Sequence, residues 1–321
     1  MRYAIKRILI SIPLFLVITW LSFLLIHLAP GDPTDRLVSP NTRSEDIVQL
    51  RHNLGLDQPL WRQYIRWIAH ISKGDFGTSY ISGKPVFEEI LSRLPATLLL
   101  SVTSLILIIC LSMPLAIICA RFNGKWIDSS IMTASLVGMS MPSFWVGLLL
   151  MIGFSVYLNI LPTSGFLSAD LITASIWIRS KDIAWHMVLP LLTIMIGSLA
   201  GLTRYIRFNI LGTLTQSYIL AARSRGIPEW RIYWIHAFKN AALPLVTILG
   251  LSLPDLIGGS FVIEYLFSWP GMGQFGIQAV FARDYPVILA TLVLGSVLIM
   301  VGNMIADLSY HWVDPRIRVP R

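Results

Sequence analysis

Apolar residues gather into six runs along the chain, at 8–28, 97–120, 131–158, 187–203, 243–263 and 287–308, separated by polar stretches of unequal length. A helix needs about 20 mostly apolar residues to cross the hydrocarbon layer of a bilayer. Five of the runs satisfy this. The run 187–203 is short and on length alone reads equally as re-entrant; the placement of charges, below, requires it to cross. The pattern therefore predicts an all-α integral membrane bundle of six spans.

The polar segment 29–96 is too long for a simple connection between helices. Within it, 44–55 opens on Ser44, places Glu45 and Asp46 in the first turn and ends on Gly55, which predicts a short capped helix. From Pro59 to about Ser72, Leu60, Tyr64, Trp67, Ile68 and Ile71 share one helical face, and Lys73-Gly74 ends the run. Such a stripe packs on neighbouring protein or lies at the membrane interface. These divisions predict a first span with its outer segment over 1–96, a core over 97–311 and a tail over 312–321.

Composition agrees with a membrane protein: 55% of the 321 residues are hydrophobic and 13% charged, against about a quarter charged in soluble domains. The net charge of +8 does not point to nucleic acid, because the cations sit in short segments between apolar runs rather than on one soluble face. Arg2, Lys6 and Arg7 precede the first run; Arg121 and Lys125 oppose Asp128; Arg204, Arg207, Arg223, Arg225, Arg231 and Lys239 face only Glu229; Arg316, Arg318 and Arg321 close the chain. With six crossings and both ends cytoplasmic, all four basic groups fall inside, as the positive-inside rule requires, while a long segment such as 29–96 crosses regardless of charge. The first run is longer than a signal-peptide core and lacks an A-x-A site, so it is expected to remain as a span. Cys110 and Cys119 lie in one apolar run without metal-site spacing and are expected to pack.

The stretch 217–231, SYILAARSRGIPEWR, is basic and carries its own helix signals. Good helix formers run from Tyr218 to Arg225, Gly226 suits a left-handed helix end, and Pro228 suits the first turn of a second helix with Glu229 near its positive end. A solvated loop whose arginines set topology accounts for the charge. It accounts less well for the helix stops, the small residues and the aromatics Tyr218, Trp230, Tyr233 and Trp234, which fit docking against a soluble partner.

The pattern Ala221-Ala222-x-x-x-Gly226, followed by Leu243-Pro244, resembles the EAA loop of ABC-importer permeases. Leu220 stands where the general motif has glutamate, and the distance from glycine to proline is longer than in sugar-type permeases; both departures are similar to the dipeptide and oligopeptide branch. Further likeness to that branch runs through Leu28-Ala-Pro-Gly-Asp-Pro33, Leu54-Gly-Leu-Asp-Gln-Pro59, Gly74-Asp-Phe-Gly-Thr-Ser79 and Arg93-Leu-Pro-Ala-Thr97. It continues through Met141-Pro-Ser-Phe-Trp145, Leu161-Pro-Thr-Ser-Gly165, Glu264-Tyr-Leu-Phe-Ser-Trp-Pro-Gly-Met-Gly273, Arg283-Asp-Tyr-Pro286 and Asp314-Pro-Arg-Ile-Arg318. The resemblance implies a six-span permease of the type with the larger exterior segment. It also implies a second related permease, two ATPases that bind ATP and Mg, and an external substrate-binding protein. The coupling loop would occupy 217–244, with Tyr218, Ala221, Ala222, Arg223, Arg225, Gly226 and Pro228 meeting an ATPase groove. Peptide is the expected substrate, with nickel complexes or glutathione as alternatives.

No cofactor is expected on this chain. It has no G-x-x-x-x-G-K-[ST], no H-E-x-x-H and no paired-cysteine zinc pattern, and Gly138-Met-Ser-Met-Pro142 lacks the second glycine of a nucleophile elbow. A secondary transporter would need inverted repeats and coupling carboxylates within its spans. Asp255 is the one mid-span carboxylate: it either lines the pathway, bonds a neighbouring helix, or flanks the break expected at Pro254 and Gly258-Gly259. His27 and Asp307 fall near span ends, and Glu264 is expected to sit at the exterior mouth and hold a turn there.

Overall fold

The computed structural model describes residues 2–28, 44–238 and 261–313. Asp255 and most of the fifth predicted span lie outside the described residues, as do Leu243-Pro244 and the segments 29–43 and 314–321.

Helix α1, Arg2–Leu28, contains the first apolar run and is long and apolar enough over Ser11–Leu28 to cross a membrane. Leu14, Val17, Leu21 and Leu25, at helical spacing, are half or more exposed, whereas Thr19 and Phe23 on the other side are buried. That second side receives α3, Leu60–Ile71, which with α2, Ser44–Leu54, makes up the two helices predicted in the polar segment. The α3 stripe packs on protein: the Tyr64 hydroxyl lies 2.9 Å from Thr19 Oγ1 and donates to Leu16 O at 3.1 Å. Its ring meets Trp20 edge-on at 4.9 Å, and Trp67 lies 5.8 Å from Phe23.

Helix α4, Val86–Arg121, and helix α7, Ile176–Leu214, contain the second and fourth spans. At 36 and 39 residues they reach about 54 and 58 Å at 1.5 Å per residue, well beyond a hydrocarbon core of about 30 Å. The short run 187–203 is therefore the apolar middle of one continuous helix, long and apolar enough to cross a membrane.

The third run is not one straight span. Helix α5, Trp126–Ser140, and helix α6, Ser143–Leu150, meet at a bend of 104°, with α6 continuing as a π-helix over Met151–Tyr157. Met141 is extended (φ −86°, ψ 133°) because the ring of Pro142 disfavours helical geometry in the residue before it. Helix α8, Ser217–Ser224, and the single turn α9, Glu229–Arg231, follow α7. After these come α10, Phe261–Leu266, α11, Met272–Ala282, and α12, Tyr285–Val313, which contains the sixth run. The described residues form no β-strand beyond a single bridge between Thr78 and Pro85.

Motifs far apart in sequence lock together. Asp284 follows Arg283, whose left-handed conformation (φ 57°) closes α11. Its carboxylate accepts from the Ser79 hydroxyl at 2.5 Å and from the Tyr80 N–H at 3.1 Å, so the outer segment is tied to the start of α12. Glu264, fully buried, accepts from the Gly273 N–H at 2.6 Å and the Gln274 N–H at 3.3 Å, while Thr97 Oγ1 accepts from the Met272 N–H at 2.8 Å. Together they cap the amino end of α11, whose first N–H groups have no partner within the helix. The buried Trp269 donates its indole N–H to Ala96 O at 2.8 Å and crosses Phe166 edge-on. Glu264 thus holds a turn, as expected, but from full burial in the core rather than from an open mouth, because its carboxylate is taken up by the N–H groups of Gly273 and Gln274.

Candidate functional site: a glycine-bent helical turn

The segment 217–237 is built from its own backbone outwards. Helix α8 ends in a Schellman arrangement: the Gly226 N–H donates to Arg223 O at 2.9 Å and the Ile227 N–H to Ala222 O at 3.2 Å. Gly226 takes φ +72°, a region that costs an L-residue about 1–2 kcal/mol. Pro228 precedes α9 as its cap residue (φ −63°) rather than sitting inside the first turn. The chain continues into a π-helix over Ile232–Ala237.

An ion pair closes the bend. Arg223 Nε donates to Glu229 Oε1 at 2.9 Å and Arg223 Nη2 to Oε2 at 3.3 Å. This two-pronged contact across the turn holds the guanidinium above its usual pKa range, and burial pushes the Tyr233 phenol up as well.

One face of the turn packs inward. Ile219 and Ile232 are fully buried, and Ala222 is buried beside them. Ala237 joins a cluster with Ala116, Ile117 and Ala120 of α4 and Ile206 and Ile210 of α7. The other face is presented outward: Tyr218, Leu220, Ala221, Arg223, Arg225, Gly226 and Pro228 are exposed, with Trp230 and Trp234 about half exposed. Of the residues picked out in the sequence, Ala222 alone faces the protein interior, so it supports the turn from within. The hydrophobic anchors Ile219 and Ile232 were not singled out, although they share the helical phase of Ala222 and of the π segment.

Nothing in this geometry is set up for bond chemistry. Among the described residues no three histidine, cysteine or carboxylate groups gather as a metal site. What the site offers is a short, basic and aromatic projection that follows α7 directly and packs on α4 and α7.

The chain matches the family model described as "Binding-protein-dependent transport system inner membrane component" over residues 112–319 and its N-terminal companion over residues 1–101. It is 43% identical over 316 residues to the oligopeptide transport system permease protein AppB of Bacillus subtilis (strain 168), covering 98% of each chain. It is 39% identical over 319 residues to the glutathione transport system permease protein GsiC of Salmonella paratyphi A, covering 99% of each. The GsiC protein of Escherichia coli (strain K12) is 37% identical over the same length. With its several apolar helices, the chain is thus a multi-pass inner-membrane permease subunit, non-catalytic in itself, whose transport depends on ATPase and substrate-binding partners. This chain belongs to the family of binding-protein-dependent transport system inner membrane components.

Proposed function

We propose that the chain forms half of the translocation pathway of an ATP-driven peptide importer and receives the closing stroke of its ATPases through the bent turn at 217–228. The other half comes from a second, related permease. Two ATPases bind ATP and Mg, and an external binding protein delivers the substrate. Both chain ends and the turn lie on the cytoplasmic side, lipid surrounds the spans, and nucleic acid plays no part. In this reading Tyr218, Ala221, Arg223, Arg225, Gly226 and Pro228 meet a groove of the ATPase, Ala222 holds the turn to the bundle, and Asp255 lines the pathway. The spans rock so that the cavity opens to one side at a time.

The carrying observation is the way the turn is built. A contact biases two states of a helix bundle only if it bears differently on each. A Schellman end, a bidentate ion pair and buried isoleucine anchors fix the shape of this projection and hold it to the bundle, which supports that reading.

Peptide is the substrate class shared by the relatives, since glutathione is itself a tripeptide, and the match to the oligopeptide permease is the higher at 43%. The test is uptake of labelled di- and oligopeptides, glutathione and nickel by cells lacking this chain, with and without its restoration. Restored peptide uptake supports the reading. Restored uptake of glutathione alone narrows it to that tripeptide, and restored uptake of nickel alone overturns it.

A further inference from the structure

Ten residues before the turn, α7 carries a second feature. Arg207 reaches from α7 to the α4–α5 connection and the start of α5. Its Nε donates to Asp128 Oδ1 at 2.6 Å, and its Nη2 donates both to Asp128 Oδ2 at 2.6 Å and to Asn123 Oδ1 at 2.8 Å. Asp128 also accepts the Gly124 N–H at 3.0 Å and is only 3% exposed. A planar guanidinium held in this way allows little rotation or sliding between the two helices.

Further along α5 the same two helices touch more closely. A Cβ at Gly138 would stand 3.0 Å from Ile196 Cγ2 and 3.4 Å from Ile196 O of α7. Helix α5 is thus fixed to α7 at both ends, by an ion pair at one and by backbone proximity at the other. The 104° bend then separates it from α6. On the far side of the bend, α6 packs on α7 and α10 together: a Cβ at Gly147 would press on Leu266 of α10, on Phe267 after it and on Thr193 of α7.

We propose that Arg207, Asp128 and Asn123 form a positioning clamp that makes α5, one arm of the bent span, travel with α7 and the coupling turn as a single body. The clamp sits about 10 Å along the α7 axis from its end at Leu214. A push on α8 that is passed to α7 therefore reaches α5 through the clamp. This inference rests on the coupling reading above but adds residues outside the turn.

The test uses the complete importer, with both permeases, ATPases and binding protein, reconstituted in lipid. Arg207→Met and Asp128→Asn are expected to lower transport about tenfold, in line with a typical coupling energy. They are expected to leave the ATPases associated and hydrolysing, so that transport per ATP falls. Arg207→Lys, which keeps the charge without the fork, should fall between. Rescue provides the second readout. In a Cys110→Ser, Cys119→Ala background, Asn123→Cys with Arg207→Cys should lose transport and regain it when the two thiols are bridged by a short bis-methanethiosulfonate. Wild-type transport per ATP in the single variants would overturn the clamp, as would loss of ATPase association or a bridged variant no better than the unbridged one. If the clamp fails while Gly226→Val still blocks transport, the coupling turn stands without it.

Discussion

At Gly226 no atom lies within 4 Å of where a Cβ would stand, so the penalty of a side chain there comes from the backbone alone. With φ at +72°, Asn is tolerated better than a β-branched residue. Gly226→Asn should therefore keep most transport and ATPase co-purification, whereas Gly226→Val should lose both with membrane insertion unchanged. Equal behaviour of the two variants would remove the left-handed turn from the mechanism. Ala222→Asp acts differently, since the residue is buried and a carboxylate placed there lacks a partner. It should detach the turn from the bundle and destabilise the protein as well as uncouple it. Glu264 is a second residue whose loss has a stated cause. Glu264→Ala leaves the Gly273 and Gln274 N–H groups unpaired in the core, at about 1–3 kcal/mol for a buried unsatisfied donor, which thermal unfolding in lipid nanodiscs would read as a lowered midpoint. Gly271→Ala attacks the same joint sterically, because its Cβ would overlap Glu264 Oε2 and Thr97 Oγ1.

Among the elements, those written in periodicity and caps were legible beforehand. The helices at Ser44–Leu54 and Leu60–Ile71, the helix before Gly226 and the stop after it follow from serine and acidic starts, an amphipathic stripe and a glycine end. The bend at Met141-Pro142 was also present as a dipeptide signal, yet the continuous hydrophobicity of 131–158 hid it, since an apolar run reports depth in the membrane and not direction. Hydropathy likewise placed only the middle of α7, because its polar ends continue the helix without adding to the apolar signal. The contacts between elements were not legible at all. Ser79 with Asp284, Ala96 with Trp269, and Asp128 with Arg207 are joined across 205, 173 and 79 residues, and the charges at 128 and 207 were read as topology signals only. A consequence at this scale is that Asp284→Ala should free the outer segment from α12. It strands the Tyr80 N–H, so limited proteolysis from outside should cut within residues 75–85 of that variant and spare the native chain.

For the molecule as a whole, the exposed apolar sides of α1, α4 and α12 have different meanings in water and in lipid. In water, runs of exposed leucine and isoleucine this long would drive aggregation. In a bilayer they are the solvated surface, and helices whose backbone bonds are satisfied internally can span it. The orientation expected from charge is what the proposed mechanism rests on, because a turn that faced outward would never meet an ATP-hydrolysing partner. In the native complex, single cysteines at Ser72 after α3 and at Arg225 in the turn lie on opposite sides of the membrane if the basic segments are cytoplasmic. In a background lacking Cys110 and Cys119, a membrane-impermeant maleimide should label Ser72→Cys from outside intact cells. It should label Arg225→Cys only in inverted vesicles, and less so once the ATPases are bound, since the docked groove covers that face. Labelling of both from one side would reverse the topology. Labelling of Arg225→Cys that is indifferent to the ATPases would keep the topology and move the docking surface elsewhere.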